Sequence, residues 1–277
     1  MTEQSVGRAG RNLPVAIVVG LGLGGLVLGT LYTFKPAFLA VVILVILIGL
    51  WELVRALRVM SLTAPYLPIA AGAVAILVLA YTSGREAMTV AFVLTVLAVV
   101  VWRAAEGAQG MLPDIGASLL ALVYVAFLAG FAALMLAPSD GARRVTAFVA
   151  TVVASDVGGY AFGVLFGKHP MAPTVSPKKS WEGLVGSTLA CAVCGLVLFV
   201  TLLDARWWQG ALFGLATVCT ATLGDLGESM IKRDLGIKDM GTLLPGHGGL
   251  MDRLDSLLPT APVAWLILAG FVTVHGS

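Results

Sequence analysis

Charge is scarce in this sequence. Only 12% of the 277 residues are Asp, Glu, Lys or Arg, whereas about 25% is usual for a soluble domain. Hydrophobic residues make up 59% of the chain. This composition excludes an ordinary soluble domain and predicts an integral membrane protein that crosses the bilayer several times.

Cysteine and histidine are also rare, with three of each. Cys191 and Cys194 have the spacing of a redox or metal pair, but they lie in an apolar run with no second pair or histidine nearby. We interpret them as small packing residues. The net charge of +2 provides no general field for nucleic acid, so no nucleic-acid partner is expected.

Apolar segments long enough to cross a membrane recur along the whole chain. They predict an all-α, polytopic membrane helical bundle with about nine transmembrane helices. The predicted helices are 13–33, 37–57, 66–82, 87–103, 115–137, 144–167, 184–203, 208–232 and 251–274.

The basic residues predict the orientation of these helices. With the N-terminus in the cytoplasm, twelve of the 17 Lys and Arg residues fall on the cytoplasmic side, as the positive-inside rule requires. This N-in, C-out arrangement puts two charged loops, 168–183 and 233–250, in the cytoplasm. Because polarity is concentrated in the second half, we divide the chain into an anchoring and packing region, 1–137, and a catalytic region, 138–277.

The sixth predicted helix carries an acid in its middle. Asp156 and Tyr160 are four residues apart and share a helix face, and an acid within hydrocarbon is unfavourable unless it is paired or hydrated. Gly159, Gly163 and Gly167 recur every fourth residue, which allows a neighbouring helix to approach closely. Two interpretations stay open for Asp156: a structural hydrogen bond between helices, or a polar cavity reached from the cytoplasm.

The loop after this helix contains Ser176-Pro177-Lys178-Lys179-Ser180, with two adjacent cations on a turn that a proline stiffens. We expect Ser180 to cap the next helix, with Glu182 in its first turn. Two lysines beside a helix N-terminus can bind phosphate. The alternative is that they serve only as a topology signal at the membrane surface.

The eighth predicted helix ends in a polar face. Asp225, Ser229 and Lys232 or Arg233 have helical spacing and therefore line one side. The order runs from an acid within the membrane to cations at its edge. This order is typical of a site in which a carboxylate holds a divalent ion and basic groups bind the substrate phosphates. Mg²⁺ prefers one or two carboxylates together with water and substrate phosphates.

The last polar segment, 245–256, reads PGHGGLMDRLDS. Its glycines allow a sharp turn and a close approach to a ligand. Asp252 and Asp255 are three residues apart at the start of the ninth predicted helix, so we expect them to face the same way, where the helix dipole favours carboxylates. His247 is either a site residue or an ordinary loop histidine.

Together these motifs resemble the signature of the phosphatidate cytidylyltransferase (CDP-diacylglycerol synthase) family. The matching residues are Ser229, Lys232-Arg233, Lys238-Asp239, Leu244-Pro245-Gly246-His247-Gly248-Gly249 and Asp252-Arg253-Leu254-Asp255. The segment Ser176 to Gly183 is also similar to a family motif, with Ser180 where threonine is usual, and Asp156 and Gly224-Asp225 match further family positions. The resemblance covers residues 155–256.

The resemblance implies a reaction, a cofactor and a location. Phosphatidate and CTP would give CDP-diacylglycerol and pyrophosphate, with Mg²⁺ and room for a second cation. A homodimer is expected in a bacterial inner membrane, with its active site on the cytoplasmic side and the lipid bilayer as its environment.

Roles follow for the residues of these motifs. The expected catalytic residues are Asp225, Asp252, Lys232, Arg233, His247 and Asp255, with Asp225 and Asp252 as metal ligands. The expected substrate and phosphate contacts are Ser176, Lys178, Lys179, Ser229, Lys238, Gly248, Gly249 and Arg253. Asp156, Tyr160, Glu182 and Asp239 are expected to give polar support.

Two other function classes stay open. A CTP-dependent polyprenol or phytol kinase would transfer a phosphate to an alcohol and release CDP instead of pyrophosphate. An ion-coupled transporter would use Asp156 and Asp225 as relay acids, but it would not explain the lysine pair or the Asp-Arg-x-Asp motif.

Overall fold

Helices form most of the protein in the computed structural model, which describes residues 13–241 and 249–273. They are α1 (Leu13–Thr33), α2 (Lys35–Leu57), α3 (Tyr66–Ala105), α4 (Met111–Ala121), α5 (Leu128–Leu136), α6 (Gly141–Phe166), α7 (Trp181–Thr201), α8 (Trp207–Asp234) and α9 (Leu257–Phe271). A π-helical segment, Leu122–Phe127, joins α4 to α5. This architecture confirms the prediction of an all-α membrane protein.

Six helical segments of the described residues are long and apolar enough to cross a membrane. They are Lys35–Met60, Tyr66–Ala105, Met111–Leu136, Gly141–Phe166, Trp181–Thr201 and Trp207–Asp234. Helix α9 is also apolar but has only 15 residues. By length and composition, six crossings are therefore found among the described residues. The predicted number of about nine stays a prediction.

Helix α3 is not one straight rod, because it breaks at Gly84. This residue has φ 84° and ψ −165°, a conformation essentially restricted to glycine. Beyond the C-terminal end of α3, the Asp114 carboxylate accepts hydrogen bonds from Arg103 Nε (2.9 Å) and from the amide of Thr63 (2.7 Å), which precedes α3. A straight helix of 40 residues would separate its ends by about 60 Å. The chain therefore reverses at Gly84, at the joint predicted between residues 82 and 87.

The buried apolar side chains are concentrated in α2, α3, the α4–α5 rod and α9. Examples without measurable exposure are Leu50, Leu53, Ile76 and Leu122. Helices α6, α7 and α8 pack mainly against one another, and α8 contacts α9. The polar motifs of the sequence lie on these last helices and on the loops that join them.

The loop between α6 and α7 is a small antiparallel sheet. Strands β1 (Pro170–Ala172) and β2 (Ser176–Ser180) pair with Ala172 opposite Ser176. The amide of Val175 bonds to the carbonyl of Ala172 at 3.2 Å and closes a tight turn between the strands. The sequence predicted a turn stiffened by proline at 176–180, so the extended conformation of these residues is a correction.

Helices α6 and α7 pack closely, and this packing depends on glycine. A Cβ atom at Gly158 would lie 2.6 Å from both the carbonyl oxygen of Gly186 and the Cβ of Ala190. Gly159 and Gly163 also face α7. The structure confirms the prediction that small residues of the sixth helix admit a neighbouring helix.

We expect the Gly158→Ala variant to be less stable than the parent protein. The added methyl group has no space against α7, and such overpacking costs about 1–3 kcal/mol. Thermal unfolding in detergent measures the effect as a lower midpoint temperature. Gly116→Ala is the matched control, because a Cβ at Gly116 meets nothing within 4 Å. Equal midpoints for the two variants would contradict the close approach of α6 and α7.

Candidate functional site

A polar cavity of about 340 Å³ lies where α6, the β-hairpin, α7 and α8 meet. The predicted site residues that line it are Asp156, Tyr160, Ser176, Lys178, Lys179 and Asp225. It also has polar lining groups that sequence reasoning did not single out: Ser155, Ser187, Thr222 and Ser256. Because Asp156 faces this space, the structure favours the polar-cavity interpretation of that acid.

Lys179 and Asp225 connect the two charged motifs within this cavity. Lys179 Nζ lies 2.6 Å from Asp225 Oδ2, and both side chains are partly exposed, by 22% and 33%. Asp225 Oδ1 also receives a weak hydrogen bond from Ser229 Oγ, at 3.4 Å on the next turn of α8. The predicted polar face of α8 is therefore present, and its acid end meets a lysine from β2.

The junction between β2 and α7 holds the lysines at the cavity. Ser180 Oγ accepts the Gly183 amide at 3.1 Å, which confirms Ser180 as the helix cap. Glu182 does not line the cavity but holds the beginning of the hairpin. Its Oε1 lies 2.6 Å from His169 Nδ1, and its Oε2 accepts the amides of Lys168 and His169 at 3.2 Å. The supporting role predicted for Glu182 thus has a structural basis in the hairpin.

A second polar group lies further along α8, around Lys232. Lys232 Nζ is 3.2 Å from Glu228 Oε1 and 3.0 Å from Asp252 Oδ1. Asp252 Oδ2 accepts the amides of Gly249 (2.7 Å) and Met240 (3.1 Å). Burial opposes ionisation of Asp252, but the hydrogen bonds from Lys232, Gly249 and Met240 outweigh it and hold its pKa below the ordinary value. Asp252 therefore ties the loop after α8 back to that helix.

The sequence predicted that the ninth helix begins at residue 251. In the structure, the segment 251–256 precedes the helix and is not part of it. Residues Met251–Arg253 form a 3-10 turn, and α9 begins at Leu257. The carboxylates of Asp252 and Asp255 accept nearby backbone amides, and such local bonds compete with helix formation. This competition explains why the ninth helix begins at Leu257, so the predicted start at residue 251 is wrong.

Asp252 and Asp255 consequently have different surroundings. Asp255 Oδ1 accepts the amide of Ser256 at 2.7 Å. Burial raises the pKa of Asp255 to about 6, and the negative charges of Asp225 and Asp156 add to this effect. Asp255 thus interacts electrostatically with the acids Asp225 and Asp156 of the cavity. Asp252 instead bonds to Lys232 and to backbone amides of the loop after α8.

The other predicted site residues lie around these two groups. Arg233 Nε donates to the carbonyl of Val175 at 3.3 Å and links the end of α8 to the hairpin turn. Arg253 is exposed and interacts electrostatically with Asp156. Lys238 and Asp239 are exposed on the loop after α8. His247 and Gly248 lie outside the described residues.

Sequence reasoning missed two buried acids that contact the polar segments of the site. Glu228 has no measurable exposure and lies beside Lys232, and Glu52 of α2 is 1% exposed and contacts the segment before α9. Both are acids within an apolar helix, the same signal that identified Asp156. Glu52 shows that the N-terminal half also contacts the polar segments.

The described residues contain no group of three or more His, Cys, Asp and Glu side chains that could hold a metal ion by themselves. The acids nearest to such a group are Asp156, Asp225 and Asp255, which influence one another electrostatically. Mg²⁺ needs only one or two carboxylates when water and substrate phosphates complete its shell. The donors present fit an ion that is completed by a bound nucleotide.

Comparisons with known proteins agree with the motifs. The chain matches the model of the cytidylyltransferase family over residues 14–271. It is 43% identical to a phosphatidate cytidylyltransferase of Mycobacterium bovis, over 96% of this chain and 91% of that protein. It is 45% identical to a protein of the same name from Mycobacterium leprae, over 94% of this chain and 89% of that protein. The chain therefore belongs to the cytidylyltransferase family.

Proposed function

We propose that this protein transfers the cytidylyl group of CTP to phosphatidate, which gives CDP-diacylglycerol and pyrophosphate. Its family and its similarity to proteins named phosphatidate cytidylyltransferase support this function. The observation that carries it is the contact between Lys179 and Asp225, because it joins the lysine-pair loop to the acid of α8 in one cavity.

The reaction needs no strong base. The phosphate of phosphatidate is already an anionic nucleophile, and one of its oxygens forms a bond to the α-phosphorus of CTP. The bond from that phosphorus to the β-phosphate oxygen breaks, and its electron pair leaves with pyrophosphate. The main barrier is the approach of two polyanions, which positive groups in a low-dielectric site reduce.

Lys178 and Lys179 are the cations that line the cavity, and they would bind nucleotide and lipid phosphates. Lys232 and Arg233 lie further along α8, the first held by Glu228 and Asp252 and the second by the hairpin. We assign them to the outer phosphates of the substrates. Ser176 and Ser229 lie next to these cations and would donate hydrogen bonds.

Mg²⁺ is the proposed cofactor, and it would neutralise phosphate charge when bound. Asp225 is the ligand best supported by the geometry, since it lines the cavity and carries only Lys179 and a weak serine contact among the described residues. Asp252 would join as the second ligand by giving up Lys232 or Met240. Asp156 and Asp255 are the carboxylates available to a second cation.

The contacts between loops support a topology of about nine crossings, each about 20 residues long. The hydrogen bond from Thr63 to Asp114 joins the loop after α2 to the first turn of α4. Lys35 Nζ donates to the carbonyls of Pro138 and Ser139, so the beginning of α2 meets the loop after α5. These pairs fit alternate crossing by α2, the two halves of α3 and the α4–α5 rod.

Adding α1, α6, α7, α8 and α9 completes the proposed topology. The positive-inside rule then orients the protein with its N-terminus and both charged loops in the cytoplasm. Bacterial relatives support an inner-membrane location. The homodimer is a proposal from the family resemblance alone, and mass measurement of the purified protein in detergent tests it.

Product identification tests the reaction. Purified protein receives phosphatidate, Mg²⁺ and CTP labelled at either the α- or the γ-phosphate. We expect the α label in the lipid product and the γ label in pyrophosphate. Transfer of the γ label to an added polyprenol, with release of CDP, would instead identify the kinase. Unchanged CTP together with solute flux in vesicles would identify the transporter.

We expect the double variant Lys178→Ala, Lys179→Ala to need much more CTP. Loss of two charge-assisted hydrogen bonds to phosphate would raise KM for CTP by about 10-fold or more. Initial rates at varied CTP and fixed phosphatidate measure the change. Lys168→Ala removes one positive charge from the same loop but outside the cavity lining, so its KM should stay near the parent value. An unchanged KM in the double variant would return these lysines to the topology-signal interpretation.

A further inference from the structure

Glu52 is a buried acid in the half of the chain predicted to serve for anchoring and packing. Its side chain is 1% exposed, and its Oε2 accepts the amide of Met251 at 2.8 Å. Among the described residues, Oε1 has no hydrogen-bond partner. A carboxylate is unfavourable in such surroundings, so its presence in an apolar helix indicates more than packing.

Helix α2 supports the turn before α9 with one face. Gly49 lies one turn before Glu52, and a Cβ there would lie 3.3 Å from Leu254 Cδ1 and 3.6 Å from Met251 Sδ. Gly49 and Glu52 therefore share the face that contacts the turn at 251–254. The first residue packs against its side chains, and the second binds its backbone.

The Glu52 carboxylate lies between two passes of the polar loop. A Cβ at Gly249 would lie 2.8 Å from Glu52 Oε2, and a Cβ at Gly241 would overlap Oε1. With the Glu52 carboxylate in this position, a side chain at either glycine would collide with it. The fit requires the loop backbone to run directly against the carboxylate on both sides.

The same two passes bind Asp252. The amides of Met240 and Gly249 donate to the Asp252 carboxylate, which also accepts Lys232 Nζ. Residues 240–241 and 249–251 thus contact Glu52 and also supply the amides that orient Asp252. A shift of these segments would move Asp252 and Lys232 together.

We propose that Glu52 is a positioning residue, which fixes the segments 240–241 and 249–251 and through them orients Asp252 and Lys232 toward the substrates. The inference rests on the proposed role of Asp252 in the reaction. Glu52 itself contacts neither CTP nor phosphatidate in this proposal.

Three variants of Glu52 test this role. Glu52→Ala should lower kcat by about 10- to 100-fold, the range typical of residues that orient a ligand from behind, with KM for phosphatidate unchanged. Glu52→Gln keeps the length and one acceptor oxygen for the Met251 amide, so it should recover most of the lost kcat. Glu52→Asp keeps the charge but is one carbon shorter, so its kcat should stay low.

The order of these variants decides the question, even if Glu52→Ala fails to fold. High activity for the glutamine variant and low activity for the aspartate variant support positioning by shape. The opposite order would overturn it, because it would indicate that charge alone matters, as in a direct cation ligand. Asp114→Asn is the matched control, since Asp114 is also a buried acid that accepts a backbone amide, but its partners are Thr63 and Arg103 and not the segments that hold Asp252.

A purely structural role for Glu52 has its own signature. All Glu52 variants would then lose thermal stability, as Asp114→Asn should, and would keep the parent kcat per folded molecule, which would overturn the inference. Asp252→Asn separates this result from a failure of the proposed function. If Asp252→Asn is inactive and Glu52→Ala keeps the parent kcat, only the Glu52 inference fails. If Asp252→Asn is fully active, the proposed role of Asp252 fails.

Discussion

Replacing Asp225 with asparagine should lower kcat by about 10³-fold and leave the fold intact. Asparagine has the same shape but no negative charge, so it would neither hold a divalent cation nor pair with Lys179. A 10³-fold decrease in kcat corresponds to a rise of about 4 kcal/mol in the activation free energy. This rise is the expected cost of losing the charge stabilisation that a metal supplies. The measurement is the rate of CDP-diacylglycerol formation at saturating CTP and phosphatidate, over a series of Mg²⁺ concentrations.

Asp204→Asn is the control for this change. Like Asp225, Asp204 lies near one cation, since its carboxylate is 4.0 Å from Arg143. Unlike Asp225, its side chain is 69% exposed and lies away from the cavity. Its variant should keep the parent rate, and both variants should unfold at temperatures close to the parent. A rate for Asp225→Asn within a few-fold of the parent would exclude Asp225 as a metal ligand.

Asp252→Asn should lower kcat by about 10²- to 10³-fold, for two combined reasons. The charge that pairs with Lys232 is lost. In addition, the new amide group must face a donor, because both oxygens of Asp252 accept from Lys232, Met240 or Gly249. The loop would rearrange, and the loss of kcat is measured under the same conditions as for Asp225.

Asp234→Asn is the matched control at the end of α8, two residues after Lys232 and exposed to solvent. It removes one negative charge near the same loop without touching the bonds of Asp252. Asp252→Asn with the activity of this control would contradict a role for Asp252 in the reaction.

Local patterns of the sequence predicted the parts of the site that depend on local geometry. Asp225, Ser229 and Lys232 share a face because helical spacing fixes it. Ser180 caps α7 because its hydroxyl needs to reach only three residues ahead. The reversal at Gly84 also coincides with a short polar joint between two apolar runs.

Parts that depend on distant contacts were not predictable in this way. Asp252 was expected to begin a helix beside Asp255, but its bonds to Lys232 and Met240 reach 20 and 12 residues back along the chain. The pairing of Lys179 with Asp225 requires the hairpin to fold over α8. No periodicity within one segment carries this information.

Glu52 also has a consequence for how the protein is made. Its partner, the amide of Met251, is 199 residues later in the chain. At the usual speed of translation, about 5–20 residues per second, the ribosome needs about 10–40 s to reach it. During this interval α2 must keep an acid without its eventual partner, and the position of Glu52 five residues before the end of α2 leaves it near the helix terminus. A chain that ends before residue 251 would lack this partner and would retain the acid without its backbone hydrogen bond.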